Sequence, residues 1–191
     1  MNFARRLPAM DSVLEKGMLL VAGVELLDAN FRHSVILLGA HEPQGSYGLV
    51  LNRPVRPPAE LRAEVPYLGE RVYVGGPVQP EMLQVLHPYG ELPDAAPILP
   101  GVFIGGDFDV LGDGILSGVF DRDLCRFFLG YAGWDHDQLY EECLQQSWLT
   151  APATAELVLM TPPQQLWPAA VRACAVLDPV YRYFPDNCQN N

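Results

Sequence analysis

A single domain of the α/β (α+β) class, with helices packed against a mixed β-sheet, is the fold this sequence predicts. Several short β-rich runs end at Gly, Pro or Asn, as strands do. Segments with helical spacing, opened by proline or aspartate, lie between some of them. The length of 191 residues suits one domain that buries a sizeable core.

The chain opens on an arm, residues 1–16, where Arg5 and Arg6 precede Asp11, Glu15 and Lys16. These charges interrupt the apolar segment that a secretory or twin-arginine signal needs, so the arm is expected to fray before the first strand. Strands are expected over Met18–Val24, Ser34–Ala40 and Tyr47–Leu51, the third closing on Asn52-Arg53-Pro54. There asparagine can satisfy a turn while proline holds Arg53 extended. Pro57-Pro58 lead into the helical segment AELRAEV. Strands over Arg71–Val74 and Val102–Ile104 end in Gly75-Gly76 and Gly105-Gly106, so that VYVGGP echoes as VFIGGD 30 residues later. The Pro-rich stretch Tyr89–Pro100 between them reads as a surface loop. A strand over Arg126–Trp134 precedes HDQLYEECLQQ, with Asp135 as N-cap, Asp137 as a first-turn acid, and Leu139, Cys143 and Leu144 on one face. Glu156–Met160 is expected as a strand. Pro162-Pro163 open QQLWPAAVRACAV, a helix that Pro168 shortens or kinks. Residues 179–191 are expected as a C-terminal tail whose last part, PDNCQNN, lacks apolar content, which leaves 17–178 as the domain.

Charge limits function. Twelve Lys and Arg stand against 23 Asp and Glu, a net charge of −11, and this argues against broad contact with nucleic acid or anionic lipid. Apolar residues at 49% exclude disorder, and no uninterrupted apolar run approaches the roughly 18 residues that span a bilayer. Cys125, Cys143, Cys174 and Cys188 contain no Cys-x-x-Cys, so zinc-ribbon and thioredoxin patterns fail and a reduced, cytoplasmic chain is expected. Between Asp107 and Glu142 nine acids face two arginines, an acidic surface that is either simply solvated or docks a basic partner.

Few residues suggest chemistry. Strict alternation in RFFLGYAGW places Phe128, Gly130, Ala132 and Trp134 on one face, a hollow between two aromatic walls. Either a neighbouring element or a small planar ligand fills it. The glycine pairs either permit tight turns and close backbone approach, or present N–H groups as an anion-binding nest, with Asp107 beside the second. Arg53 either pairs with an acid such as Glu42 or offers its planar fork to a carboxylate or phosphate. Ser34, Ser46, Ser117 and Ser147 lack a Gly-x-Ser-x-Gly setting, and no dinucleotide or Walker motif occurs. Asp135-His136-Asp137 diverge by about 100° per residue on a helix, a poor metal site.

NFRHSVILL (30–38), GSYGLVLNRP (45–54), VYVGGPV (72–78), Leu86-His87, GVFIGGD (101–107) and RFFLGYAGWDHDQLYEE (126–142) occur in the order seen in the AlgH family, also called YqgE-like, and the chain resembles that family from about Gly17 to Arg172. Asp-His-Asp-Gln-Leu after the Gly-Trp departs from the family's Gly-Pro-Gly-Gln-Leu. The resemblance implies a bacterial protein with a barrel-like mixed sheet flanked by helices. It brings no established reaction, cofactor or catalytic residue, although some members carry a transcriptional-regulator label.

The resulting expectation is a cytoplasmic binding or regulatory protein without catalysis, cofactor or metal. Its candidate cleft comprises Asn52, Arg53, Gly75, Gly76, Gly105, Gly106, Asp107 and Trp134. The expected partner is a small anion or a protein, with no direct nucleic-acid contact and no membrane, and the chain is a monomer or homodimer. The alternatives are a hydrolase or transferase using His41, His87 or Asp107, and a transcriptional regulator.

Overall fold

The computed structural model describes residues 14–26 and 28–174, so the tail at 179–191, Cys188 and the arm up to residue 13 lie outside the described residues. The strands are β1 (Met18–Ala22), β2 (Val35–Glu42), β3 (Gly45–Val50), β4 (Pro54–Val55), β5 (Val72–Val74), β6 (Val78–His87), β7 (Ala95–Leu99), β8 (Val102–Gly105), β9 (Arg126–Asp135) and β10 (Trp148–Pro152). The helices are α1 (Ala59–Glu64), α2 (Phe108–Leu116), α3 (Gln138–Leu144) and α4 (Pro163–Cys174).

The strand order is β10-β1-β2-β3-β9-β6-β8-β7, antiparallel throughout, with β5 adding parallel to β9 and β4 antiparallel to β5. The sheet curls into a half-barrel flanked by helices, an α/β domain. Among the described residues no helix is long and apolar enough to cross a membrane.

Both faces of β1 and β2 are covered, which explains their unbroken apolar runs. Leu19, Val21, Val35 and Leu37 join Leu166, Trp167, Ala170 and Val171 of α4 in one cluster. Leu20, Ala22, Ile36 and Leu38 join Trp134, Trp148 and Leu139 and Cys143 of α3 in another. A third cluster lies under α2, where Leu111 meets Leu68, Val72, Val85, Phe120 and Phe127. Each such leucine contributes about 1.5–3 kcal/mol through burial.

Several expectations are corrected. The Tyr89–Pro100 stretch contains β7, whose Pro97 is tolerated because β7 pairs only with β8, at the sheet's edge. Glu156–Met160 is a π-helical turn, not a strand. Thr154 starts it, its carbonyl accepting from Val158 N and its hydroxyl from Leu157 N. The buried Arg126 holds its end, donating to the Leu159 and Thr161 carbonyls. Helix α4 runs on past Pro168 to Cys174, the last described residue. Asp135 ends β9 and does not cap α3; that position falls to Asp137, in the left-handed region at φ 61° and without a side-chain capping bond. Gln138 instead folds back, its carbonyl oxygen accepting from Asp135 N.

Alternation along β9 also breaks. Gly130 sits at φ 69°, opposite a register shift between Val78 and Leu83 of β6. The bulge turns Tyr131 to the cluster that holds Phe128, whereas Ala132 and Trp134 enter the other. The expected hollow between Phe128 and Trp134 is therefore absent, and neighbouring backbone fills the space at Gly130. A Cβ there would lie 2.6 Å from the Gly76 carbonyl oxygen and 2.8 Å from that of Val78.

Candidate functional site

The end of β3 leads into Asn52, whose side chain works as a substitute strand. Its Oδ1 accepts from Val35 N at 3.0 Å and its Nδ2 donates to the His33 carbonyl at 2.8 Å, fixing the start of β2. Pro54 then begins β4, and the Val74 N–H donates to the Arg53 carbonyl at 2.9 Å. Next to it, Val50 N donates to the Gly75 carbonyl at 2.9 Å and Gly75 N to that of Leu129 at 2.8 Å. Three chain segments thus converge on Arg53.

An open groove of about 440 Å³ lies between them. Phe31, Val50, Pro54, Val55, Val74 and Pro77 give it apolar walls, while Asn30, Asn52 and Arg53 supply polar groups. The Arg53 guanidinium donates to the Arg32 carbonyl rather than to Glu42. Among the described residues neither Arg32 nor Arg53 forms an ion pair with a carboxylate. Partial burial lowers the Arg53 pKa, but a guanidinium remains cationic at neutral pH. His33 registers the same field: burial first, then Arg32 and Arg53, push its pKa below the usual imidazole value. An open apolar groove edged by a cation that has no carboxylate partner among the described residues suits an amphipathic anion.

Only part of the expected cleft assembles here. Asn52, Arg53 and Gly76 line the groove, with Gly75 immediately behind. Both glycines are required by close backbone approach: a Cβ on Gly76 would meet the Tyr131 carbonyl carbon at 2.1 Å, and one on Gly75 the Gly130 oxygen at 2.2 Å. Gly105, the last residue of β8, and Gly106 and Asp107, which link it to α2, line no part of the groove. Asp107 is the N-cap of α2, its Oδ1 accepting from Asp109 N at 2.9 Å and Val110 N at 3.0 Å. Trp134 is buried, and its indole N–H donates to Glu142, which also accepts from Trp148. Sequence reasoning missed Phe31 and Arg32; the signal available was an aromatic–cation pair just before a strand.

Of the catalytic alternatives, His87 and Asp107 meet the same turn, through Gly105, whereas His41 lines a different hollow. His87 is fully buried, with Nε2 2.8 Å from the Gly105 carbonyl and Nδ1 accepting from Tyr89 N at 3.2 Å. Burial lowers its pKa, and both nitrogens are occupied, so it has no free lone pair for base chemistry. His41 shares a 2.7 Å hydrogen bond with Ser46 across the β2–β3 pair, in a hollow of about 250 Å³ with Asp135, His136 and Asp137. Among the described residues no group of His, Cys, Asp or Glu is placed to hold a metal. Burial pushes the thiols of Cys125, Cys143 and Cys174 up to about 12, far from a reactive thiolate.

Comparison with known proteins identifies the lineage. The family model DUF179, AlgH-like, matches residues 19–177. A UPF0301 protein of Chlorobium luteolum is 41% identical over 162 residues, covering 84% of this chain and 86% of its own. A UPF0301 protein of Chlamydia muridarum is 36% identical, covering 82% and 84%. The solution structure of the AlgH protein from Pseudomonas aeruginosa superposes with a TM-score of 0.64 at 31% identity, covering 85% of this chain and 92% of that one. The crystal structure of DIP2367 from Corynebacterium diphtheriae gives 0.69 at 22% identity, covering 96% and 100%, and so shares the fold. The chain belongs to the AlgH-like, UPF0301 family.

Proposed function

We propose that this chain is a cytoplasmic, non-catalytic binding protein whose groove at Arg53 takes a small anion with an apolar body. The observation that carries the reading is the Arg53 guanidinium at an apolar groove, with no carboxylate partner among the described residues. A ligand carboxylate or phosphate supplies the missing acceptor, and its apolar part covers Phe31, Val55 and Val74. Direct contact with DNA is disfavoured by the charge of −11 and by the use of the other arginines. Arg56 and Arg62 face Glu70, and Arg122 and Arg126 donate to backbone carbonyls.

Calorimetric titration with octanoate, phenyl phosphate, acetate and inorganic phosphate tests it. The first two are expected to bind more tightly than the small anions, and Arg53→Met to weaken them about 10- to 100-fold, as one charge-assisted hydrogen-bonded pair would. Equal binding by wild type and Arg53→Met would overturn the reading. Retardation of DNA in a gel at low salt would favour the regulator label instead.

A further inference from the structure

We propose that the outer face of α2, with the turn behind it, is a docking surface for a basic amphipathic segment of a partner protein. Three apolar side chains stand in solvent there: Val110 is 41% exposed, Leu116 67% and Val119 74%. They share one open depression of about 660 Å³ with Asp113, Ser117 and Phe120. Isolated exposed apolar residues are ordinary, but three around one depression form a patch.

The local fold holds this patch outward. Gly112 and Gly114 leave room for rings packed on the helix: a Cβ on Gly112 would lie 2.4 Å from Tyr67, and one on Gly114 2.2 Å from Phe120. The Tyr67 hydroxyl donates to the Phe108 carbonyl at 2.8 Å, fixing one ring. Gly118, at φ 78°, turns the chain so that Val119 and Phe120 both donate to the Gly114 carbonyl. Phe120 tucks under the helix end and its neighbour Val119 is left outside.

Charge identifies the occupant. Asp107, Asp109, Asp113 and Asp121 occur between residues 107 and 121 with no Lys, Arg or His. Asp123 follows, while Arg122, the cation between Asp121 and Asp123 in the chain, turns inward. It donates to the carbonyls of Tyr67, Leu68, Arg71 and Cys125, with its guanidinium 5.0 Å over the Phe127 ring. Asp113 lines the apolar depression itself, and among the described residues none of Asp107, Asp109, Asp113 and Asp121 forms a salt bridge. A second copy of this chain would bring the same carboxylates against themselves in a two-fold contact. An anionic lipid surface would be repelled in the same way. A helix with apolar residues at i, i+3 and i+4 and lysines or arginines beside them satisfies both parts.

The test uses the isotope-labelled full chain and two synthetic probes of equal charge, a leucine–lysine amphipathic helix and a lysine–serine peptide. The helix is expected to bind saturably, with amide shifts concentrated on 108–120 and weaker affinity in higher salt; the lysine–serine peptide is not. Leu116→Ser with Val119→Ser should weaken binding at least tenfold without changing the melting temperature, both side chains being exposed. Asp109→Asn with Asp113→Asn should flatten the salt dependence. Equal binding of both probes, or an unchanged Kd in the Leu116→Ser/Val119→Ser variant, would overturn the proposal. So would wild-type self-association, or sedimentation with phosphatidylglycerol vesicles, that this variant abolishes.

Discussion

Gly75-Gly76 follows β5 alongside β9, whereas Gly105-Gly106 closes β8 and leads out to the first turn of α2. Both pairs end a strand of the same length class and composition, VYV in one and VFI in the other. At the first pair the cause is contact, because the backbone of β9 lies where a Cβ would be. At Gly105 it is conformation alone, φ 75° with nothing within 4 Å of a Cβ, while Gly106, at φ 109°, adds a side-chain contact, its Cβ lying 2.4 Å from Leu92. One motif therefore answers two different physical demands, and only the first places backbone beside the groove.

Substitution should separate the two causes. Gly76→Ala drives a methyl into peptide backbone that other strands hold, so it should cost more than about 4 kcal/mol, in the range of the most damaging single changes. Gly105→Ala meets open space and carries only the left-handed penalty, about 1–2 kcal/mol. Urea denaturation of both variants measures the difference. Equal losses would mean that the contact at Gly76 is not the reason for its glycine.

The residues flanking each pair sharpen the contrast further. Near the first, Asn52→Ala leaves Val35 N–H and the His33 carbonyl without their partner, and Val35 is fully buried. A loss of about 2–3 kcal/mol is expected. Beside the second, Asp107→Ala removes only a helix cap whose two N–H groups are reachable by water, and about 1 kcal/mol is expected. If Asp107→Ala were the more damaging of the two, Asp107 would have a role beyond capping.

The same distinction between local and long-range causes sets what the sequence made legible. Strands β1, β2 and β9 are visible because a sheet covered on both faces writes unbroken apolar runs. Strand β6 is not: Gln79–Met82 are exposed, include Pro80, and fall in the irregular stretch opposite Gly130 where the register shifts. Helix α2 hides behind Gly112 and Gly114, which read as turn residues until Tyr67 and Phe120 are seen to occupy their missing side chains. In the groove, Asn52, Arg53 and Gly76 could be grouped because each ends a recognisable strand. Trp134 and Gly105–Asp107 could not be separated from them, since strand order is fixed by pairings far apart in sequence.

Two histidines give the smallest and most selective comparison. His33 lies by the first region and His87 by the second, and burial lowers the pKa of each. Their remaining causes differ. Arg32 and Arg53 push His33 further down, whereas the Gly105 carbonyl and Glu91 pull His87 back up. An imidazole held below its unfolded value stays neutral in the fold while the unfolded chain takes up a proton. Its stabilisation is therefore complete above about pH 6.5 and declines as pH falls through that value. The buried His87 contributes a loss of at most about 0.4 kcal/mol by pH 6.5, where half of the unfolded imidazole is protonated, and solvent screening makes the loss at the more exposed His33 smaller. Salt separates the two, because the Debye length shrinks to about 3 Å at 1 M and screens partly exposed charges first. Histidine titration by NMR should show His33 moving upward in high salt and in Arg53→Met, with His87 still in Arg53→Met and moving only downward in salt as Glu91 is screened. Equal movement of the two would assign them a common cause and remove the argument that a guanidinium field is concentrated at the groove.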